Sequence, residues 1–308
     1  MTKKILYSIK SPYRESMDVT GFTFGEGEKS LCVIGSMRGN EIQQMYVCSQ
    51  LIQKLKQYEA EGKIASGKEI TVVPCVNYYS MNIGKRFWTM DNTDINRMFP
   101  GYDLGETTQR IAGGLFSQIQ GYEYGIQLAS FYQPGHFLSH VKLMETGFTD
   151  HSLMKNFGLP YAFVRRPRPY DTTTLNYNWQ IWGTKSFSLY TNETDKINEA
   201  SANQAVDSIL RFMKSQELLV CSLPCGYKTE LIDESRLIQV HSDTPGIMRN
   251  QVHTGARVKK GDLLCEITDP LEGHIIKEIT SPCDAIVFFR YNRPLEFENT
   301  VLYKLIAL

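Results

Sequence analysis

The hydrophobic pattern of this chain changes near residues 218–228, and that change constrains the fold more than any other sequence feature. Before it, short apolar runs such as LCVIG at 31–35 and ITVVPCV at 70–76 alternate with longer amphipathic segments. Short runs rich in β-branched residues predict buried strands, whereas apolar residues three or four positions apart predict helices. This alternation is typical of an α/β domain with a largely parallel sheet.

Three segments of the first region carry the helical pattern. The longest follows the first predicted strand, and Gly62 offers it a C-terminal cap. Two further helices are predicted over residues 105–120 and 201–216, the last with Ser201 as its N-cap. The residues that recur along the longest helix are Ile42, Met45, Tyr46, Ser49, Ile52 and Leu55.

After about residue 225 the helical pattern is lost. Short β-like runs (RLIQV, GDLLCEI, HIIKEI, AIVFF and VLYKLI) are separated by turn pairs such as Thr-Gly, Lys-Gly and Asp-Pro. Closely spaced short strands joined by turns indicate an all-β domain. We therefore predict an α/β domain at residues 1–222 and an all-β domain at residues 223–308, with the boundary in the stretch CSLPCG.

The charge balance and the cysteines narrow the class of protein. Lys+Arg and Asp+Glu both number 33, so the formal net charge is zero, whereas duplex binding needs a basic excess. No run of about 18 apolar residues could span a membrane, and MTKKILYSIK lacks the apolar run of a signal peptide. Seven scattered cysteines indicate free thiols in a reducing compartment. We expect a cytoplasmic protein with neither a nucleic-acid nor a membrane partner.

Two polar stretches follow the first two predicted strands: GSMRGNE at residues 35–41 and RFWTMDNTDINRMFPG at residues 86–101. Together they resemble the succinylglutamate desuccinylase/aspartoacylase family, a branch of the zinc carboxypeptidase-like hydrolases. Its members carry Gly-x-x-His-Gly-Asn/Asp-Glu after the first core strand, and then Arg-Phe…Asp-x-x-Asp-x-Asn-Arg-x-Phe-Pro-Gly. The second motif is matched over its whole length. The C-terminal stretches GIMRNQVHTGARVKKGDLLCEITDPLEG and SPCDAIVFF are similar to the family's small β domain.

This resemblance implies both a fold and an activity. The fold is a carboxypeptidase-like three-layer domain with a mixed, largely parallel sheet, followed by a small all-β domain of barrel-sandwich-like shape. The activity is that of a deacylase or desuccinylase, which cleaves an amide or related acyl bond in a small carboxylate substrate of the N-acyl amino acid type. The family performs this hydrolysis with a catalytic zinc ion.

The positions that hold the family's zinc differ in this chain. The family uses a His and a Glu of the first motif and a His of a later Asp-Leu-His segment. Here Arg38 replaces the first His, and Glu41 is kept. Ala129 replaces the second His, and Gln127 replaces the Asp of that segment. Because a catalytic zinc needs three protein ligands, and neither a guanidinium nor a methyl group has a lone pair to donate, we expect zinc to be absent or weakly bound.

The general base of the family is also replaced. It is a Glu on a late strand, and the matching run KSFSLYT places Tyr190 in that register, while Glu193 and Glu41 are alternative bases. A downstream His of the family is kept as His140. Other residues could rebuild a metal site, or could be ordinary loop histidines and a buried cysteine. They are Cys75, His136, His140 and His151.

Three arginines are expected to face one pocket. The resemblance implies that Arg86 polarises the scissile carbonyl and that Arg97 clamps the substrate carboxylate, with Asn96 as an amide donor. Arg38 would add a fixed positive charge, and such a set suits a small anion with one or two carboxylates. The alternative for Arg38 is a plain ion pair with Glu41 that holds the loop.

Two functions therefore remain open. The first is a divergent hydrolase, and its expected catalytic residues are Glu41, Arg86, Tyr190 and Glu193. The second is a pseudoenzyme that binds a small anionic metabolite without turnover. In either case, the expected ligand-binding residues are Arg38, Asn96, Arg97, Gln127 and His140.

Two remaining segments have alternative interpretations. RRPRPY at residues 165–170 looks like a nucleic-acid patch, but zero net charge favours a loop over the pocket mouth with Tyr177, Trp179 and Trp182 as walls. The β domain lacks the hairpin that biotin and lipoate carriers need around their lysine, since Lys277 lies in HIIKEI. We expect this domain to be structural or to make contacts in a homo-oligomer.

Overall fold

The computed structural model describes residues 1–308, which form two compact units. The first unit consists of Met1–Ser130 and Ser139–Leu231, and the second consists of Phe131–Leu138 and Ile232–Leu308. The segment Phe131–Leu138 belongs to the second unit because its short strand pairs there. The boundary predicted between residues 222 and 223 stays a prediction.

A nine-stranded mixed sheet forms the centre of the first unit. Its strands are β1 (Thr2–Ile9), β2 (Met17–Phe24), β3 (Gly27–Ser36), β4 (Gly67–Cys75), β5 (Tyr124–Ala129), β7 (His140–Met144), β8 (Tyr161–Arg165), β9 (Lys185–Tyr190) and β10 (Glu230–Asp233). Their order in the sheet is β1-β2-β4-β3-β5-β9-β7-β8-β10. The pairs β3–β4, β3–β5, β5–β9 and β7–β8 are parallel, whereas β1–β2, β2–β4 and β7–β9 are antiparallel.

Helices cover both faces of this sheet, which confirms the predicted layered α/β class. The helices are α1 (Ile42–Ala60), α2 (Tyr78–Met81), α3 (Thr107–Ile119), α4 (Leu175–Ile181) and α5 (Glu199–Ser215). On β3, Leu31 and Val33 pack with α1 and α5, whereas Cys32 and Ile34 pack with α3 and α4. Strands buried on both faces are apolar at every position, which accounts for the continuous run LCVIG.

None of these helices is both long and apolar enough to cross a membrane.

The second unit is all-β, as predicted, and contains two antiparallel sheets. The strands are β6 (Gly135–Phe137), β11 (Ile238–His241), β12 (Gly246–Asn250), β13 (Arg257–Val258), β14 (Leu263–Thr268), β15 (Ile275–Thr280), β16 (Ala285–Tyr291), β17 (Leu295–Glu296) and β18 (Val301–Ala307). One sheet has the order β11-β18-β16-β13 with β6 paired to β16, and the other has the order β15-β14-β12-β17. The predicted barrel-sandwich-like domain thus consists of two open sheets and contains no closed barrel.

Candidate functional site

The carboxyl ends of three neighbouring parallel strands lie at one edge of the large sheet. β3 ends at Ser36, and β5 and β9 end at Ala129 and Tyr190, which are register partners. Ligands of open α/β sheets bind outside this edge. The loop after β3 carries Arg38 and Glu41, and the second sequence motif follows β4, the other neighbour of β3. The fold therefore brings both motifs to the same edge.

Arg38 lies between two carboxylates. Its Nη1 donates to Glu41 Oε1 at 3.0 Å, and its Nη2 and Nε donate to Asp94 Oδ2 at 2.8 and 3.1 Å. The three side chains are only 5%, 1% and 7% exposed. Burial by itself would lower the pKa of Arg38, but the charges of Glu41 and Asp94 and their hydrogen bonds raise it overall. Arg38 is thus a permanent, buried cation.

Glu41 accepts hydrogen bonds on both carboxylate oxygens. Oε2 accepts the backbone N–H groups of Met37 and Arg38 at 2.9 and 3.0 Å. Oε1 accepts the Ser130 hydroxyl at 2.6 Å in addition to Arg38. An ionised carboxylate offers about four lone-pair sites, so these contacts occupy the whole acceptor capacity of Glu41. Proton abstraction or metal coordination by Glu41 would require one of these bonds to break.

Asp94 connects the two motifs, and the sequence analysis assigned it no role. Its Oδ2 binds Arg38, and its Oδ1 accepts the backbone N–H of Asn96 at 3.0 Å. The second bond caps the short 3-10 helix Ile95–Arg97, as expected for an Asp before a helical turn. The Asn96 side-chain oxygen in turn accepts the backbone N–H of Leu175 at 3.3 Å. The matched motif contains two aspartates, Asp91 and Asp94, and their presence was the available sequence signal for a second partner of Arg38.

The residues at the family's zinc positions do not fit a zinc ion. Arg38 and Ala129 have no donor lone pair, and the oxygens of Glu41 are engaged by Arg38, Ser130 and the backbone. No three His, Cys, Asp or Glu side chains are grouped so that they could hold a metal ion.

The residues considered for a rebuilt metal site are distributed over the molecule. His136 lies on β6 in the second unit, where it is the register partner of Arg290. His140 is fully buried on β7, and His151 lies 3.6 Å from Glu145. Cys75 ends β4, and burial raises its pKa to about 12. None of these contacts joins the four residues into one site.

Arg97 is held by the loop that follows β8. Its Nη1 donates to the carbonyl of Tyr170 at 2.6 Å and lies 3.6 Å from Asp171 Oδ1. The Tyr170 ring centre is 5.3 Å from its guanidinium carbon. Asp171 also accepts Nη1 of Arg165 at 2.6 Å. The arginine-rich loop therefore contacts Arg97, the residue that is expected to bind the substrate carboxylate.

Burial alone would raise the pKa of Asp171, but the hydrogen bonds from Arg165 and from the backbone of Arg168, and the nearby arginine charges, lower it. Asp171 is thus a buried anion within a basic segment.

Of the three aromatic residues expected to wall the pocket, Trp179 does not do so. It is fully buried in the core, contacts the backbone at Gly125, and donates its indole N–H to the carbonyl of Ile119 at 3.1 Å. Trp182 is exposed and packs edge-on against Phe116. The stretch that was predicted to be a loop forms the helix α4, and Trp179 lies on the buried face of that helix.

The other predicted residues form small polar groups beside this edge. Gln127 Oε1 accepts Nδ2 of Asn176 at 3.0 Å, and the same amide donates to Ser188. The rings of His140 and Tyr190 stack at 4.7 Å with an interplanar angle of 5°. The register pair His140–Tyr190 of β7 and β9 explains this stacking.

Arg86 lies in the loop after α2, and Glu193 lies in the loop after β9. The Arg86 carbonyl accepts the backbone N–H of Gly39 at 3.0 Å, which links the two motifs, and its guanidinium lies over the ring of Phe87. The Glu193 carbonyl accepts the amide of Gln44 at 3.3 Å, and Gln44 also donates to the carbonyl of Ala129. The structure thus brings Arg38, Glu41 and Asp94 into direct contact, whereas Arg86 and Arg97 are held by other partners.

The fold and the site define a layered α/β protein with a mixed sheet and a polar site at the carboxyl ends of its parallel strands. A sequence model described as the succinylglutamate desuccinylase/aspartoacylase catalytic domain matches residues 28–215. The match covers more than half of the chain, and the chain belongs to the succinylglutamate desuccinylase/aspartoacylase family, a family of deacylases.

Solved structures of this family share the fold. A succinylglutamate desuccinylase from Silicibacter sp. TM1040 has a TM-score of 0.79 at 16% identity, covering 98% of this chain and 92% of that one. The product-bound ectoine utilization protein EutE (DoeB) from Ruegeria pomeroyi has a TM-score of 0.78 at 18% identity, covering 95% and 90%. An aspartoacylase family protein from Mesorhizobium loti has a TM-score of 0.77 at 19% identity, covering 94% and 89%.

One curated relative is similar in sequence over a shorter stretch. The N-alpha-acetyl-L-2,4-diaminobutyric acid deacetylase of Halomonas elongata is 30% identical over 94 residues, which is 30% of this chain. The match spans 25% of the length of that relative.

Proposed function

We propose that this chain binds a small carboxylate ligand of the N-acyl amino acid type at the family's site and does not hydrolyse it by the family's zinc mechanism. The observation that carries this proposal is the buried contact of Arg38 with Glu41 and Asp94 at the position of the family's first zinc ligand. The guanidinium takes the place of a metal ligand, and Glu41 and Asp94 offset its charge, so the positive charge offered to a ligand carboxylate comes from Arg97. The cation is covalently part of the chain and has no open coordination position for water.

The charges around Arg38 oppose metal binding. A divalent cation beside a guanidinium is repelled unless acidic groups neutralise it, and Glu41 and Asp94 already pair with Arg38. To coordinate zinc, Glu41 would have to give up Arg38 or Ser130. Separation of a buried ion pair costs about 3–5 kcal/mol when one partner is left without compensation.

The groups available for proton transfer are also unsuited to hydrolysis. Tyr190 presents a phenol where the family's base is a carboxylate, and its ring is stacked on His140. Glu41 has both oxygens engaged. General-base catalysis needs an acceptor atom within hydrogen-bond reach of the attacking water. The residues at the family's catalytic positions therefore support recognition better than turnover.

Recognition of the ligand is assigned to the matched motif. Arg97 has a partly exposed side chain, 25% accessible, and it is held by Tyr170 and Asp171 rather than moving freely. A fixed guanidinium suits a carboxylate because its N–H groups form a planar fork. Asn96 and Arg86 are proposed as further contacts. Gln127 and His140 are almost completely buried, so they are proposed to support the site through Asn176 and Tyr190.

Family membership favours a second function, hydrolysis of the acyl bond of the same ligand. The curated Halomonas relative is named as a deacetylase, and the matching domain is that of a desuccinylase. In this case Glu193 would have to act as the base, since it is the remaining carboxylate among the predicted catalytic residues.

One experiment separates the two functions. Metal-analysed protein is incubated with N-acetylglycine, N-acetyl-L-aspartate, N-succinyl-L-glutamate and N-alpha-acetyl-L-2,4-diaminobutyrate, and binding is followed by ligand-observed NMR while product is followed by chromatography. We expect saturable binding of at least one acid without release of acetate or succinate. Turnover above the level of a heat-denatured control would establish the hydrolase, and the absence of all binding would refute the ligand class.

A further inference from the structure

We propose that Asp171 is a positioning residue that holds the guanidinium of Arg97 in the geometry required by a ligand carboxylate. The inference rests on the function proposed above, in which Arg97 binds that carboxylate. It assigns a role to the arginine-rich loop, which the matched motif at residues 86–101 does not include.

The position of Asp171 within a group of arginines is the first argument. Its side chain is 3% exposed, and its Oδ2 accepts Nη1 of Arg165 and the backbone N–H of Arg168, at 2.6 and 2.8 Å. Its Oδ1 lies 3.6 Å from Nη1 of Arg97. The backbone bond from Arg168 and the burial hold the carboxylate in place, so its second oxygen is a fixed anchor for Arg97.

Tyr170 supplies the second anchor. Its carbonyl accepts Arg97 Nη1 at 2.6 Å, and its ring centre lies 5.3 Å from the Arg97 guanidinium. Its hydroxyl accepts Nη1 of Arg168 at 2.5 Å. Adjacent residues of one loop therefore bind the same nitrogen of Arg97, which restricts the rotation of the guanidinium.

The physical benefit of this arrangement is preorganisation. An arginine side chain carries about 2 kcal/mol of rotamer entropy, and part of it is lost when a ligand orders the side chain. If Asp171 and Tyr170 have already ordered Arg97, ligand binding causes a smaller loss of side-chain entropy. The guanidinium groups of Arg97 and Arg165 both lie beside the Asp171 carboxylate, and that of Arg168 lies against Tyr170, so the loop remains cationic towards an anion.

A purely structural role for Asp171 has a different consequence. Loss of the turn that Asp171 closes through Arg168 would disturb the loop and weaken every ligand to a similar extent. Loss of the hold on Arg97 would weaken ligands that carry a carboxylate much more than neutral ones. The preference for a carboxylate over the matching carboxamide is therefore the decisive readout.

The test measures the dissociation constants of N-acetylglycine and N-acetylglycinamide by NMR titration of the full chain. We expect the unmodified protein to prefer the acid, Asp171→Asn to lower this preference about tenfold, and Asp171→Glu to lower it less. Asp150→Asn is the matched control. Like Asp171, which accepts a backbone N–H at the start of the 3-10 helix Pro169–Asp171, Asp150 accepts one at the start of the 3-10 helix His151–Phe157, but Asp150 is exposed. This control should retain the preference.

The outcomes distinguish this inference from the proposed function. If the unmodified protein prefers the acid and Asp171→Asn weakens both probes equally or neither, the positioning role is refuted and the binding function stands. If the unmodified protein binds none of the acids, both are refuted. Should Asp171→Asn fail to fold, Asp171→Ser decides, because it also removes the carboxylate, and an unchanged preference in that variant overturns the inference.

Discussion

Replacement of Arg38 by Met tests whether the buried cation holds the two motifs together. Met keeps most of the length of the side chain and removes the charge, so Glu41 and Asp94 would remain in a site where the side chains are 1% and 7% exposed. Removal of one partner of a buried ion pair costs about 3–5 kcal/mol, because the other partner is left uncompensated. For a unit of this size, that corresponds to a fall in Tm on the order of 10 °C.

The assay is thermal unfolding of the full chain followed by circular dichroism at neutral pH. Lys185→Met is the matched control, since Lys185 forms an exposed ion pair with Glu123 in which the side chains are 41% and 47% accessible. Exposed pairs contribute about 0–1 kcal/mol, so the control should unfold close to the unmodified protein. If Arg38→Met and Lys185→Met had similar small effects, Arg38 would not be the buried counter-charge described here.

Three further predictions concern the ligand, the second unit and the zinc positions. Arg97→Ala should abolish the thermal shift that any small carboxylate produces, a loss of about 2–5 kcal/mol in binding, and an unchanged shift would place the ligand elsewhere. Burial raises the pKa of Glu296 above its ordinary 4.5, so the folded state retains the proton and stability falls as pH rises through that raised pKa. Glu296→Gln should therefore reduce the fall in Tm that accompanies a rise in pH above 4.5, while Glu298→Gln at an exposed neighbour should not. Arg38→His combined with Ala129→His should bind zinc 1:1 in a calorimetric titration, with either single variant binding more weakly; equal binding by a single variant would contradict the ligand assignment.

Much of the fold could be predicted from hydrophobic period. LCVIG lies within β3, ITVVPCV coincides with β4 as far as Cys75, and the predicted helical segments overlap α1, α3 and α5 with slightly different ends. These elements could be predicted because burial on one or both faces produces a regular pattern of apolar residues in the sequence. The segment at residues 131–138 has no hydrophobic pattern that would predict its strand. Its three-residue strand β6 is too short for a period, and its pairing with β16 is set by tertiary contact.

The candidate site could be predicted in part. The motif match identified Arg38, Glu41 and Arg97, and an ion pair of Arg38 with Glu41 was one of the alternatives. Asp94 and Asp171 were missed as partners, because contacts between loops that follow different strands depend on the register of the whole sheet. Residue type alone indicates that a buried arginine needs acidic partners, but it does not indicate which acid.

The zinc content of the unmodified protein tests the central claim most directly. The protein is purified without added metal, any affinity tag is removed, and zinc per chain is measured by elemental analysis. The account predicts well under one zinc ion per chain, because Arg38 and Ala129 offer no donor and Glu41 is engaged by Arg38 and Ser130. Stoichiometric zinc that survives dialysis would contradict the account, since the chain would then have to build a metal site from other residues.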